Sequence, residues 1–312
     1  MKIDILIPTY NRADDLIYNL TLIQSELERQ KLFYKINIII SDNCSVDNTK
    51  NAVQEFMELK NTAFQIQYYR TSENIGLEKN AVHVLSKASS EFILFLGDDD
   101  YLDKGYLSYC LDQILNDSDL GCIITGIVQI DNDLNIIGYP RRTDFEEKKG
   151  RAGYESMLEF SHLGHQLSGL VLKRANLLEE YLANEAYRNI YLFIYFACNR
   201  IEKYNVIYAP KFQTKVKILN SKDWDYNQLG LLDEVFKSYY PFIESQGKQN
   251  VRDLLIRFCT LHSYRFGMQK RHPFRLYQQY KKLLSIVPSL EGFAKDLRTL
   301  LLKDYILLFL RK

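Results

Sequence analysis

The sequence predicts an α/β fold, a mostly parallel sheet with helices on both faces, and three observations carry that expectation. Over the first hundred residues, four short apolar or alternating runs are separated by longer amphipathic stretches, the order that builds βαβ units. The runs at 3–7, 36–40 and 92–96 each end abruptly in polar turn residues. The last, Phe92-Ile93-Leu94-Phe95-Leu96, is wholly apolar, too short for a helix, and bounded by Ser89-Ser90 and Gly97, as expected of a strand buried on both faces.

Taken in order, the run at 3–7 is expected to stop at Pro8, which has no N–H for a ladder. Asn11 is a candidate N-cap for a helix over 13–30. A second strand at 36–40 closes on Ser41-Asp42-Asn43, and Ser45 or Asp47 can cap a helix reaching 59, with Val53, Phe56 and Met57 on its apolar face. Residues 64–69 alternate as a third strand. Asn74-Ile75-Gly76 reads as a turn before a helix over 77–87, with Ala81, Val84 and Leu85 inward. Beyond the fourth strand we expect a helix over 104–116 and a strand over 121–130. A polar loop at 141–151, a return strand within 166–172, helices over 174–182 and 190–203, and a short strand at 206–209 ended by Pro210 follow. From about residue 229 the pattern is helical, broken at Gly247, His272-Pro273 and Pro288. The expected organisation is thus an α/β domain over 1–228 and a helical basic region over 229–312.

At 312 residues the chain can bury a large core. No segment has the unbroken apolar length to cross a bilayer. The start, Met1-Lys2-Ile3-Asp4, runs straight into a strand without a signal-peptide pattern. Five scattered cysteines with no CxxC pair argue against a disulfide framework or zinc site and for a reducing cytoplasm. The net charge of +1 conceals a division. Residues 245–312 hold 14 Lys and Arg against 4 Asp and Glu, leaving 26 and 35 for the rest. Such asymmetry points to an anionic partner or membrane surface.

Gly97-Asp98-Asp99-Asp100 is the feature with the most chemistry. Three adjacent carboxylates at the end of a buried strand repel one another, and a hard cation such as Mg²⁺ or Mn²⁺ removes that cost. The carboxyl ends of strands in an open α/β sheet are where ligands bind. A solvated acidic turn is the competing reading. Polar turns at the ends of the first, second and fourth strands favour the metal site.

Four motifs then resemble a known family. Ile7-Pro8-Thr9-Tyr10-Asn11-Arg12, Ser41-Asp42-Asn43-Cys44-Ser45-Val46-Asp47-Asn48-Thr49, Asn74-Ile75-Gly76 and Phe95-Leu96-Gly97-Asp98-Asp99-Asp100 are similar, in order and spacing, to those of family 2 glycosyltransferases of the GT-A fold. The resemblance implies that Pro8, Thr9, Tyr10, Arg12, Asn74, Lys79 and Asp98 bind a nucleoside-diphosphate-sugar donor and that Asp42 contacts its base. It implies Mg²⁺ or Mn²⁺ on Asp99 or Asp100, and inverting transfer to a glycan acceptor. Such an acceptor is expected to be a lipid-linked surface polysaccharide of O-antigen or capsule type.

Two departures stand out. The usual D-x-D pattern would put its first Asp at Gly97. The family's Glu-Asp pair, whose Asp is the base, should fall about twenty residues after Ser168-Gly169, where Tyr187-Arg188-Asn189 has no carboxylate. Glu185 is the nearest substitute, and His165 is an alternative base. His162 or His165 could instead complete a metal shell. Trp224, the sole tryptophan, is a candidate for stacking on sugar or nucleotide, or for anchoring the C-terminal region.

Arg265, Lys270, Arg271, Arg275, Lys281 and Lys282, interleaved with aromatics, suit an anionic membrane surface, a solvated helical face or a homo-oligomer contact. Residues 305–312 could dip into the interface. Peripheral attachment at the cytoplasmic membrane face follows from that reading; no nucleic-acid motif accompanies the charge. Two rivals remain. A sugar-nucleotide nucleotidyltransferase would carry a Gly-rich phosphate loop, which residues 8–12 lack. A non-catalytic nucleotide-sugar-binding scaffold rests on the missing Glu-Asp pair alone.

Overall fold

The computed structural model describes residues 2–59, 65–137, 145–218, 231–262 and 299. In chain order the elements are β1 (Ile3–Thr9), α1 (Ala13–Gln30), β2 (Ile36–Asp42), α2 (Thr49–Leu59), β3 (Gln65–Arg70), α3 (Leu77–Ser86), β4 (Phe92–Phe95), β5 (Asp100–Tyr101), α4 (Tyr106–Asn116) and β6 (Leu120–Ile130). They continue as β7 (Lys148–Gly150), α5 (Tyr154–Phe160), β8 (Leu170–Lys173), α6 (Leu177–Leu182), α7 (Leu192–Lys203), β9 (Asn205–Lys217), α8 (Leu231–Tyr239) and α9 (Ile243–Leu261). One mixed sheet runs β3-β2-β1-β4-β8-β6-β9-β5, with β7 on β9. Its first four strands are parallel. Antiparallel β8 joins them to β6, which pairs in parallel with β9.

Alternation along the strands divides the core into two layers. Ile3, Ile5, Ile7, Ile38, Ile40 and Leu94 meet α1, α2 and α4 on one face. Leu6, Ile39, Ile93 and Phe95 meet α3, α5, α6, α7, α8 and α9 on the other. Residues of α8 and α9, including Val235, Tyr239, Leu254 and Phe258, are buried in the same core as α7. The described part of the C-terminal region is therefore continuous with the sheet layer. Gly247 interrupts α9 with φ +81°, where the sequence pattern placed a break. Trp224, the basic cluster of 265–282, the breaks at 272–273 and 288, and the terminal run 305–312 lie outside the described residues.

Four expectations need correction. β1 does not stop at Pro8 but pairs on to Thr9 opposite Asp42. Its ladder to β4 has already ended at Leu6 opposite Phe95, so the N–H that Pro8 lacks is not required there. β9 likewise runs through Pro210, because a bulge moves the register with β6 from Ala209 to Gln213 and carries the proline past the ladder. The polar loop expected at 141–151 contains β7, formed by pairing Lys148–Gly150 against Tyr208, Ile207 and Val206. Residues 145–147 precede it, and 141–144 are outside the described set.

The fourth correction concerns the start of α1. Asn11 is not its N-cap: it sits at φ +53°, its side-chain oxygen accepts the Val46 N–H at 2.8 Å, and its own N–H donates to Ser45 Oγ at 2.8 Å. Asp47 supplies the cap from the neighbouring loop. Its Oδ2 accepts the Ala13 N–H at 3.1 Å, and Oδ1 accepts the N–H of Thr49 at 3.0 Å at the start of α2. One carboxylate therefore serves two helix N-termini. Asp47→Ala is expected to cost about 1–2 kcal/mol, read as a lower urea midpoint at unchanged m-value.

Candidate active site

The carboxyl ends of β1, β2 and β4 converge, and each brings a loop. Asp98 is 9% exposed and accepts a hydrogen bond from Thr9 Oγ1 at 2.7 Å. Asp99 accepts one from Arg12 Nη1 at 2.6 Å in a part-buried ion pair. Arg12 also lies 3.9 Å from Asp15, which pairs with Lys217 Nζ at 2.6 Å. Burial, and next the neighbouring charge of Asp99, push the Asp98 carboxyl up to about 7. Two adjacent carboxylates with hard oxygen donors, their mutual repulsion only partly offset by Arg12, are the chemistry a divalent cation relieves, so Asp98 and Asp99 fit one.

Asp100 has other partners. Its Oδ2 takes the Ser168 hydroxyl and its Oδ1 the Lys217 N–H, the latter at 3.2 Å. The Asp100 side chain is thus held within the protein at 8% exposure, close to the 9% of Asp98. Gly97 explains this register. A Cβ there would sit 2.8 Å from Asp100 Oδ2 and 3.2 Å from Ser168 Oγ. The place where the resemblance expects an Asp is filled by the Asp100 carboxylate. Gly97→Asp, which restores D-x-D on paper, is therefore expected to lower the thermal midpoint by several degrees and to weaken metal-dependent nucleotide binding.

Asp42 is fully buried. Its Oδ1 accepts the Ser45 N–H at 2.8 Å; its Oδ2 accepts the Tyr68 hydroxyl at 2.5 Å and lies 3.4 Å from Arg70 Nε. Tyr68 and Arg70 of β3 thus hold the carboxylate of Asp42, the residue expected to contact the donor's base. Arg70 also donates to the Ser45 carbonyl at 2.9 Å and remains 38% exposed. Burial, then the hydrogen bond to Asp42, raises the Tyr68 hydroxyl above its usual range.

Asn74 closes the adjoining loop. Its Oδ1 accepts from Asn43 Nδ2 at 2.8 Å and from the Gly76 N–H at 3.0 Å. Tyr10 is 38% exposed beside Pro8 and Thr9, and Lys79 is exposed in the first turn of α3. Sequence reasoning missed the buried amides beneath these loops. Asn80 accepts the Ser41 hydroxyl at 2.6 Å and donates to the Ser41 carbonyl at 3.0 Å, tying α3 to β2. Asn19 lies inside the apolar stripe Leu16-Leu20-Ile23 of α1 and is 1% exposed. A polar residue on a buried helical stripe is a signal the sequence did offer.

The region of the expected base is distinct. Asn189 is buried, and its Oδ1 accepts the Tyr191 N–H at 2.6 Å ahead of α7 and the Ser238 hydroxyl at 3.2 Å. Arg188 makes a two-armed pair with Glu78 of α3, at 2.8 and 3.1 Å. Since α3 begins at the carboxyl edge of the parallel strands, this pair holds the 185–189 segment at the same rim. Glu185 is exposed in a 3-10 turn there and forms no ion pair among the described residues. His165 sits against α9: its Nδ1–H donates to the His162 carbonyl at 2.7 Å, and its ring meets His262 edge-on at 4.2 Å. His162 Nδ1 is 3.2 Å from His262 Nε2. Among the described residues, no three His, Cys, Asp or Glu side chains group as a metal site.

A mixed sheet of this order, with an acidic turn at the edge of its parallel half, is a GT-A fold. The chain belongs to glycosyl transferase family 2, whose model matches residues 4–182. It is 35% identical over 108 residues to the abequosyltransferase RfbV of Salmonella typhimurium, covering 35% of this chain and 31% of that protein. It is also 35% identical over 108 residues to a GalNAc(5)-diNAcBac-PP-undecaprenol beta-1,3-glucosyltransferase of Campylobacter jejuni, covering 34% and 32%. The match thus spans about a third of the length of these curated relatives. Among solved structures, S. aureus TarS in complex with UDP-GlcNAc superposes with a TM-score of 0.71 at 16% identity, over 98% of this chain and 89% of that one. The mannosyltransferase PcManGT of Pyrobaculum calidifontis, with GDP-Man and Mn²⁺, gives 0.53 at 14% identity over 97% and 87%. At these identities the likeness is one of fold.

Proposed function

We propose that the chain transfers a sugar, with inversion, from a nucleoside-diphosphate-sugar donor to a glycan acceptor. The observation that carries this is the convergence of Thr9 and Arg12 from the end of β1 on Asp98 and Asp99 at the end of β4, in a chain of family 2. The nucleotide sugars bound to TarS and PcManGT support the donor class. The name of the Campylobacter relative supports a lipid-linked acceptor.

In this reading Pro8, Thr9, Tyr10, Asn74 and Lys79 line the donor side, with Arg70 beside Asp42. Asp99, with Asp98 beside it, would hold Mg²⁺ or Mn²⁺. When bound, the ion supplies Lewis-acid stabilisation of the leaving diphosphate. Arg12 is already at the site as a second cation for that diphosphate. Glu185, exposed on the rim, is our candidate to take the acceptor hydroxyl proton. The basic stretch of 265–282 and the terminal run 305–312 would bring the chain to an anionic membrane surface; no helix of the described residues is long and apolar enough to cross a membrane.

A second reading, nucleotide-sugar binding without turnover, is favoured by one observation: an amide, Asn189, occupies the expected base region, where it accepts the Tyr191 N–H ahead of α7. One experiment addresses both. Thermal midpoints are measured with UDP, GDP, CDP and dTDP, each with and without Mn²⁺, followed by turnover assays on sugar esters of the nucleotide that binds. A ligand specific for the folded state raises the midpoint, by about 2.7 kcal/mol of stability at one hundred times its Kd. A Mn²⁺-dependent rise with one nucleotide and sugar release or transfer is the expected result. A rise without turnover favours the binder, and no rise with any nucleotide would remove both readings.

A further inference from the structure

Two buried polar side chains hold the acidic turn without belonging to it. Asn19 of α1 donates through one amide nitrogen to two carbonyls, that of Gly97 at 3.0 Å and that of Asp100 at 2.9 Å. These are the residues on either side of Asp98-Asp99. From the opposite side, Ser168 accepts the Gly97 N–H at 2.9 Å and donates to the Asp100 carboxylate. The turn itself is closed by a 3.3 Å bond from the Asp100 N–H to the Gly97 carbonyl. Asn19 and Ser168 are 1% and 3% exposed.

Asn19 also carries a cost that packing does not explain. Its Oδ1 is buried and has no hydrogen-bond partner among the described residues. A buried acceptor left unpaired is unfavourable, and an apolar neighbour of Leu16 and Leu20 would have avoided it. What an apolar residue could not do is satisfy the two carbonyls that bracket the carboxylates. Places where a chain departs from its local packing rule are expected at functional sites.

We propose that Asn19 and Ser168 are positioning residues that fix the Gly97–Asp100 turn from its two sides, so that Asp98 and Asp99 are presented together to a metal-bound nucleoside diphosphate. Asn19 sets the turn's backbone from the donor half of the sheet. Ser168, just ahead of β8, holds the Asp100 carboxylate, while Thr9 and Arg12 reach the other two. The inference rests on the donor-binding reading above.

The test uses the full chain, the nucleoside diphosphate selected by the thermal panel, and Mn²⁺. Asn19→Asp is nearly isosteric but turns an amide donor into an acceptor facing two carbonyls. Ser168→Ala removes one hydroxyl and is the milder change. Affinities are titrated at a temperature where every variant is folded, with Leu27→Ala, a core truncation in the last turns of α1, as a stability control. Asn19→Asp is expected to weaken Mn²⁺-dependent nucleotide affinity about 30-fold and Ser168→Ala about tenfold. The donor KM should rise in both, with a smaller fall in kcat. Leu27→Ala should lower the thermal midpoint but leave affinity unchanged. If Asn19→Asp does not fold, Ser168→Ala decides. Wild-type affinity in a folded Asn19→Asp or in Ser168→Ala overturns the positioning roles while the donor-binding reading stands. A wild-type chain that binds no nucleotide overturns that reading, and this inference with it.

Discussion

Asp98→Asn is expected to cut sugar transfer by about 10²–10³-fold, the scale of losing one charged group that stabilises the transition state, while making the protein more stable at pH 8. The two effects share a cause. In the folded chain, burial and then the Asp99 charge raise the Asp98 carboxyl to about 7 from its ordinary value of 3.8. A carboxyl raised by folding contributes stability that is fully present below the unfolded pKa and is lost as pH rises through the folded one. Between about pH 4 and pH 7 the wild-type chain should therefore lose stability, because the carboxyl gives up its proton in the unfolded chain while the folded chain still holds it. An asparagine has no charge to bury, and it can still accept from Thr9. Urea denaturation at pH 5 and pH 8 should show the advantage of the variant growing with pH, while transfer is depressed at both. A variant no more stable at pH 8 than at pH 5, relative to wild type, would mean that Asp98 is better solvated than its burial implies.

Arg200→Met is the substitution expected to damage the fold most. Arg200, in α7, is 1% exposed and donates to the carbonyls of Lys173 at 3.0 Å and Ala175 at 2.7 Å, to Asn199 Oδ1 at 2.9 Å, and pairs with Glu180 at 3.5 Å. It joins the end of β8 to the helix packed above it. Methionine approximates its apolar stem but leaves both carbonyls and Asn199 without these donors. Leaving buried acceptors unsatisfied costs about 1–3 kcal/mol each, together a large share of the roughly 5–15 kcal/mol that holds an ordinary domain together. Equilibrium urea unfolding should show the loss directly. Nucleotide affinity, measured while the chain is still folded, should change far less than in Asp98→Asn, because Arg200 braces the half of the sheet beyond β4.

Much of the fold was legible in the sequence because local rules and the final structure agree there. The stripe of Leu16, Leu20, Ile23 and Leu27 fixes α1 to its residue limits, and the apolar run before Gly97 is β4. Elements that exist only through their partners were not legible. β5 is two residues long and β7 three, each made by pairing with β9. Two prolines looked like strand ends until the register showed one past the end of a ladder and the other inside a bulge.

The sequence by itself determined which residues could do chemistry: the four motifs, their order, and the acidic turn at the end of an apolar strand. These depend on residue type and spacing, which a chain carries before it folds. Only the tertiary structure decided how each of those side chains is held. Asp42 is held by Tyr68 and Arg70, Asp100 by Ser168 and the Lys217 N–H, Asp98 is buried against Thr9, and Asp99 is part-buried on Arg12. The physical reason is that a carboxylate's role follows from its burial and its donors, and those arrive from β3, β8 and β9, segments distant in sequence that only the sheet brings together.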